Sequence, residues 1–311
     1  MRFSIQTPQY RTDLAALAET WRAAERLGFR SAWLMDHLYP ILAPPTEPML
    51  EAWTTLAALA RETSTLRLGV LVTANTLRAP ALLARMAATV DRASAGRLEV
   101  GLGAAWCEQE HVEQGIPFPP LAVRLGMLSE SCRVLRGLWR EERFTFDGRH
   151  YRLRDAACAP KPLQDPLPLL LGGQGEQRAL AIVARHADRW NLSGSAETLR
   201  QKRAVLERHC ANVGRDPRAI TVTVRNDFLL TDDAALARRR IMRFARYASI
   251  DEAEARRRTW VGPAEEIVAS LREFESAGCE ECILGLEPPY DAATHEMLAR
   301  TAAEIVPRLA S

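Results

Sequence analysis

Short apolar runs alternate with longer amphipathic stretches along the whole chain, and this alternation limits the possible folds more than any other feature. Arg2–Gln6 reads as a strand, and Asp13 caps a helix that reaches Leu27 and stops at Gly28. Ser31–Asp36 is the next strand. Leu66–Thr73 is almost wholly apolar, as suits a strand covered on both faces. Pro80 opens a helix that runs to Ala93. Leu98–Leu102, Pro168–Leu171, Arg189–Leu192, Ile220–Leu229 and Cys282–Leu286 continue the series, each followed by a helical pattern directly or after a loop. About eight βα units imply a parallel sheet. No Gly-rich dinucleotide turn opens the first unit, so the expected closure is an α/β TIM (β/α)8 barrel and not an open doubly wound sheet.

A bare barrel needs about 250 residues. This chain has 311. The excess falls near 38–50, 106–120, 143–165 and 232–262, where Asp147-Gly148 between aromatic residues marks a hairpin. Residues 1–311 therefore read as one barrel domain, with insertion segments at the C-terminal mouth. A net charge of +2 is too balanced for a nucleic-acid partner or a membrane surface. No uncharged apolar stretch is long enough to span a bilayer. Met1–Tyr10 does not read as a signal peptide, so a cytoplasmic location is expected. Scattered cysteines argue against a disulfide framework. Cys279 and Cys282 lack a second pair or a nearby His set, so they read as core thiols and no metal is expected.

Barrel chemistry sits at the C-terminal ends of strands. That rule selects Gln6-Thr7, Asp36-His37, Thr73-Ala74-Asn75, the loop Gly103–Gln109 with Trp106, Gly172-Gly173-Gln174-Gly175, Asn191-Leu192-Ser193, Arg225–Asp227 and Leu286–Pro288. Asp36-His37 serves either as an acid–base pair or as a loop cap. Thr73-Ala74-Asn75 either lets a flat ligand approach the backbone or forms an ordinary turn. Gly101-Leu-Gly103 is not a dinucleotide turn, because bulky Trp106 stands where the third glycine belongs. Gly172–Gly175 suits a phosphate between a strand and a helix start, or a tight turn with positive φ.

Taken together and in order, several stretches resemble the bacterial luciferase-like monooxygenase superfamily, in its deazaflavin (coenzyme F420)-dependent branch. They are Ser31-Ala-Trp-Leu-Met-Asp-His37, Leu71-Val-Thr-Ala-Asn-Thr76, Gly101-Leu-Gly-Ala-Ala-Trp106 running on to Gly115-Ile-Pro-Phe-Pro119, and Leu171-Gly-Gly-Gln-Gly-Glu176. Phe146-Asp-Gly-Arg-His-Tyr151 and Val261-Gly-Pro-Ala-Glu-Glu266 also fit. The resemblance implies a luciferase-like barrel that holds coenzyme F420, or alternatively FMN, at its mouth and acts on a small-molecule substrate. It places Asp36 and His37 beside the redox ring, with His37 for protonation or for stabilising the reduced cofactor. It places a bulge, often a non-proline cis peptide, at Thr73-Ala74, and a ring or ribityl contact at Gln109. Gly172–Gly175 match its phosphate site, with Asn191–Ser193 on the adjacent strand end. Sugar-phosphate dehydrogenases of the branch carry glutamate at the Trp106 position and tryptophan at the Ile41 position, and both departures count against a sugar phosphate. Trp106, Ile41 and Phe118 suggest a largely apolar substrate pocket. The rival readings are an FMN-dependent monooxygenase using reduced flavin and oxygen, and a non-catalytic flavin-binding barrel. Whether the chain forms a homodimer is left open.

Overall fold

The computed structural model describes residues 1–41 and 43–309; Leu42, inside the 38–50 segment, and Ala310 and Ser311 lie outside the described residues. Its strands in chain order are β1 (Arg2–Gln6), β2 (Ser31–Leu34), β3 (Arg67–Val70), β4 (Thr73–Ala74), β5 (Leu98–Gly103), β6 (Phe144–Asp147), β7 (Arg152–Ala156), β8 (Leu169–Gly172), β9 (Arg189–Leu192), β10 (Thr221–Leu230), β11 (Thr259–Gly262) and β12 (Glu281–Gly285). Parallel pairing runs β1-β2-β3-β5-β8-β9-β10-β12 and returns to β1, closing an eight-stranded TIM barrel. β4 pairs with β5, and β11 lengthens the sheet beside β10. β6 and β7 form the expected antiparallel hairpin.

Local signals explain the elements. Asp13 accepts a hydrogen bond from the Ala16 amide, capping the helix Leu14–Arg26, whose buried stripe includes Leu17, Trp21 and Ala24. Ile5, Leu34, Val70, Leu102 and Leu171 belong to the main core between strands and helices. Among the described residues, no helix is long and apolar enough to cross a membrane. Cys279 and Cys282 are buried with Sγ atoms 3.8 Å apart.

The N-terminal end of the barrel is closed by charge. Glu99 pairs with Arg30 (2.5 Å), Arg67 (2.6 Å) and Arg189 (3.2 Å), and Arg189 also pairs with Glu281 (2.5 Å). Burial pushes the Glu99 carboxyl up, but the surrounding arginines outweigh it and hold the group at about 2.

One strand departs from the sequence reading. The run 66–73 is not one strand. β3 ends at Val70, the Leu71–Val72 peptide is cis, and pairing resumes at Thr73. The bulge thus lies at Leu71–Val72, not at Thr73-Ala74. Distant polar side chains hold it: Gln6 Nε2 donates to the Leu71 carbonyl (3.1 Å) and Asp36 Oδ2 accepts from the Ala74 amide (2.9 Å). A local apolar pattern carries no trace of either partner. Residues 232–258 are mostly helical, in two pieces. The helix Ala234–Ala248 ends at Ser249 with φ 55°, and a short helix Glu252–Arg257 leads into β11.

Candidate active site

A cavity of about 500 Å³ opens at the C-terminal ends of the barrel strands. One wall is apolar backbone and side chain from the break between β3 and β4: Leu71, Val72 and Ala74. This wall depends on glycine. A Cβ on Gly103 would lie 2.6 Å from Val72 Cγ2, and one on Gly172 would lie 3.0 Å from it. Gly103→Ala should push Val72 into the cavity and weaken binding of a flat cofactor by about tenfold, the scale of an overpacking penalty. A titration of the variant checks this, and unchanged affinity would show that the wall does not carry the ring.

Next to this wall lies the turn Gly172–Gly175, which precedes the helix Ala179–His186. Gly173 has φ 145°, a conformation that favours glycine, and its carbonyl accepts from Trp190 Nε1 (2.7 Å). The turn has no acidic side chain; its Gly173 amide donates to the Asn191 carbonyl (3.3 Å), which leaves the amides of Gln174 and Gly175 for a ligand. Glu176, just beyond it, is engaged by Lys202 (2.9 Å).

His37 lines the cavity, and its Nδ1 lies 3.1 Å from Glu110 Oε1. Glu110 also accepts from the Leu38 amide (3.0 Å). Burial raises the Glu110 carboxyl, yet the hydrogen bond and charge of His37 and the Leu38 amide prevail, holding it below its ordinary value. The pair therefore resembles a carboxylate-oriented imidazole, with Nδ1 fixed and Nε2 unpartnered among the described residues. Trp106 packs edge-on against the imidazole, with ring centroids 5.3 Å apart. The loop that carries Trp106 and Glu110 is clipped down by buried His111, which bonds Thr76 Oγ1 (2.7 Å) and the Cys107 carbonyl (2.7 Å).

Asp36 borders the cavity, but it is not the partner of His37. Its two oxygens take Arg78 in a bidentate pair (2.7 and 3.0 Å), and one also takes the Ala74 amide. It is a positioning group for the apolar wall, not a free acid or base. Arg225, from the middle of β10, also lines the cavity. It donates to Gln6 Oε1 (2.6 Å) and to Asp227 Oδ1 (2.9 Å), so its charge is already matched.

A family model described as luciferase-like monooxygenase matches residues 1–281. The chain belongs to the luciferase-like monooxygenase family. An uncharacterised family relative from Mycobacterium tuberculosis (strain ATCC 25618 / H37Rv) is 29% identical over 66% of this chain and 77% of its own length. An F420-dependent glucose-6-phosphate dehydrogenase of Segniliparus rotundus is 34% identical over 56% of this chain, and this chain spans 50% of that relative's length. The solved structure of an F420-dependent secondary alcohol dehydrogenase, with an F420-acetone adduct, superposes with a TM-score of 0.88 at 22% identity, covering 100% of this chain and 99% of that one. Luciferase-like membership makes this chain an oxidoreductase of a family that binds flavin-type cofactors.

Within that family frame, the structure gathers Gln6, Asp36, His37, Ala74, Trp106, Gly172–Gly175 and Asn191–Ser193 around one cavity. It leaves out others. Thr73 is buried and accepts from Trp53 Nε1 (3.1 Å), and Asn75 turns away to the Arg124 carbonyl (3.0 Å). Gln109 is exposed and bonds Glu113 (2.7 Å). Phe118 packs on His111 (4.7 Å) under Arg124, and neither it nor Ile41 borders the cavity. The residue missed was Glu110, one position beyond Gln109. It lies on the short helix Glu108–Glu113, whose polar sequence has no apolar phase to show which side is buried. Arg225 lines the cavity as its place among the expected strand ends implies, although β10 runs on to Leu230 and leaves it mid-strand.

Proposed function

We propose that this protein is a coenzyme F420-dependent oxidoreductase that moves a hydride between the deazaflavin and a small, largely apolar organic substrate. The observation that carries this reading is the His37–Glu110 couple set into a cavity with one apolar glycine-backed wall and one Gly-rich anion turn. The residues fit such a cofactor. Leu71, Val72 and Ala74 offer a flat apolar face, and the amides of Gln174 and Gly175 suit a phosphate. When bound, the deazaflavin supplies the carbon that accepts or donates hydride.

The protein's own part is proton control and orientation. His37 Nε2 holds or releases the proton that an alcohol–carbonyl conversion exchanges. Glu110 keeps the imidazole oriented through Nδ1. Trp106, Leu121 and Leu125 line the cavity with apolar surface and favour an apolar substrate. Arg225 is taken up by Asp227 and Gln6, which weighs against a phosphorylated substrate such as the one named for the Segniliparus relative. Fluorescence titration with F420 and with FMN tests the cofactor assignment. Micromolar binding of F420 is expected; micromolar binding of FMN with no response to F420 overturns it in favour of a flavin monooxygenase.

A further inference from the structure

We propose that the groove between the helices Leu121–Arg140 and Ala179–His186 holds the anionic tail of the cofactor beyond its phosphate, with Arg178 and Arg185 binding the tail's carboxylates. The proposal rests on the F420 reading above and deepens it. F420 extends past its phosphate into a chain of glutamates, each adding a carboxylate, whereas FMN ends at the phosphate.

The groove encloses about 230 Å³, and its lining includes Leu125, Gly126, Ser129, Gln177, Arg178 and Arg185. Leu125 also lines the main cavity, so the two spaces adjoin. Arg178 follows the Gly172–Gly175 turn by three residues, where a ligand leaving the phosphate turn would pass. No acidic side chain lines the groove. Both arginines are exposed, and among the described residues neither side chain makes an ion pair or hydrogen bond. Many other arginines of the chain are matched: Arg240 and Arg243 hold Glu287, and Arg308 holds Glu265. The field around the groove is positive. Ser129 bonds His186 (3.2 Å), whose imidazole is held down at about 4 by burial and then by Arg185, Arg133, Arg136 and Arg215.

A larger arginine-lined groove of about 730 Å³ follows the helix Ala234–Ala248, but it shares no lining residue with the cavity. Its Arg238, Arg240 and Arg243 are engaged by Glu252 and Glu287. Arg239 and Arg246 of that groove therefore serve as a control for removing the same charge elsewhere.

The test is a fluorescence titration with F420 of increasing glutamate number and with the tail-less deazaflavin chromophore, at low and high salt. Wild type should bind long-tailed F420 about tenfold more tightly than short-tailed F420, with the difference shrinking at high salt. The double variant Arg178→Ser, Arg185→Ser should bind the tail-less chromophore as wild type does, which shows that it is folded, and should lose the dependence on tail length. Arg239→Ser with Arg246→Ser should keep that dependence. Affinity independent of tail length in wild type overturns the tail groove while leaving F420 as the cofactor. An equal loss in the control variant also overturns it, because the effect would then be one of overall charge. Failure of every F420 form to bind, with FMN bound, overturns the cofactor reading itself.

Discussion

Replacing His37 with alanine is expected to lower turnover by about 10²–10⁴-fold, the usual worth of a positioned acid or base, while cofactor affinity stays close to that of wild type. The expectation follows from where the side chain is held. His37 stands on the loop after β2, at the C-terminal end of the barrel, and borders the cavity with Trp106 against its edge. Its Nδ1 is committed to Glu110, so Nε2 is the nitrogen left for a substrate oxygen. The apolar wall and the Gly172–Gly175 turn are built from other strands, so the cofactor should keep its place without the imidazole. Added imidazole should restore part of the lost rate. Glu110→Gln should lower kcat and leave KM nearly unchanged, because the carboxylate acts through His37, whose Nδ1 it holds. Steady-state kinetics on the variants decide the matter, and an unchanged rate for His37→Ala removes His37 from the mechanism.

Glu99→Gln is expected to destabilise the protein by about 3–5 kcal/mol at neutral pH, the cost of breaking a buried ionic cluster by removing one partner. Glu99 is the carboxylate shared by Arg30, Arg67 and Arg189, and without it Arg30 and Arg189 keep only Glu281 and Arg67 keeps no ion pair among the described residues. The same cluster sets a pH dependence. The folded Glu99 carboxyl sits at about 2, below its ordinary value of 4.5. A depressed carboxylate contributes its full stability above the unfolded value and loses it as the pH falls toward the folded one. Wild type should therefore weaken steadily through that acid window, and Glu99→Gln should show a shallower slope there. Denaturant unfolding across a pH series measures both effects. A loss under about 1 kcal/mol, the scale of an exposed ion pair, would show that the barrel floor does not depend on this group.

The parts of the molecule that were legible beforehand are those encoded locally. Each barrel strand is a short apolar run beside a helix with its own cap or stop signal, and their alternation was enough to foresee the closed barrel. Once the strands were placed, the barrel rule pointed to His37, Trp106, Gly172–Gly175 and Asn191–Ser193, which do border the cavity. What stayed hidden depends on contacts between distant segments. Glu110 meets His37 across 73 positions, and only the phase of a six-residue helix separates it from exposed Gln109. The break at Leu71–Val72 is fixed by Gln6 and Asp36, which reach it from β1 and from the loop after β2. Thr73 and Asn75 sit on the expected turn, but their side chains serve the packing around Trp53 and Arg124. Spacing along the chain does not reveal which way such side chains turn.

Hydride exchange with a deazaflavin in this cavity can be watched directly. Its most direct test is an anaerobic stopped-flow experiment that mixes the protein and F420 with small apolar alcohols, each with and without deuterium at the carbinol carbon. Bleaching of the oxidised F420 absorbance is expected with at least one alcohol, slower for its deuterated form and absent in His37→Ala. An F420 spectrum that stays unchanged with every alcohol and with the reverse ketone reactions, alongside turnover that needs reduced FMN and dioxygen, would contradict it.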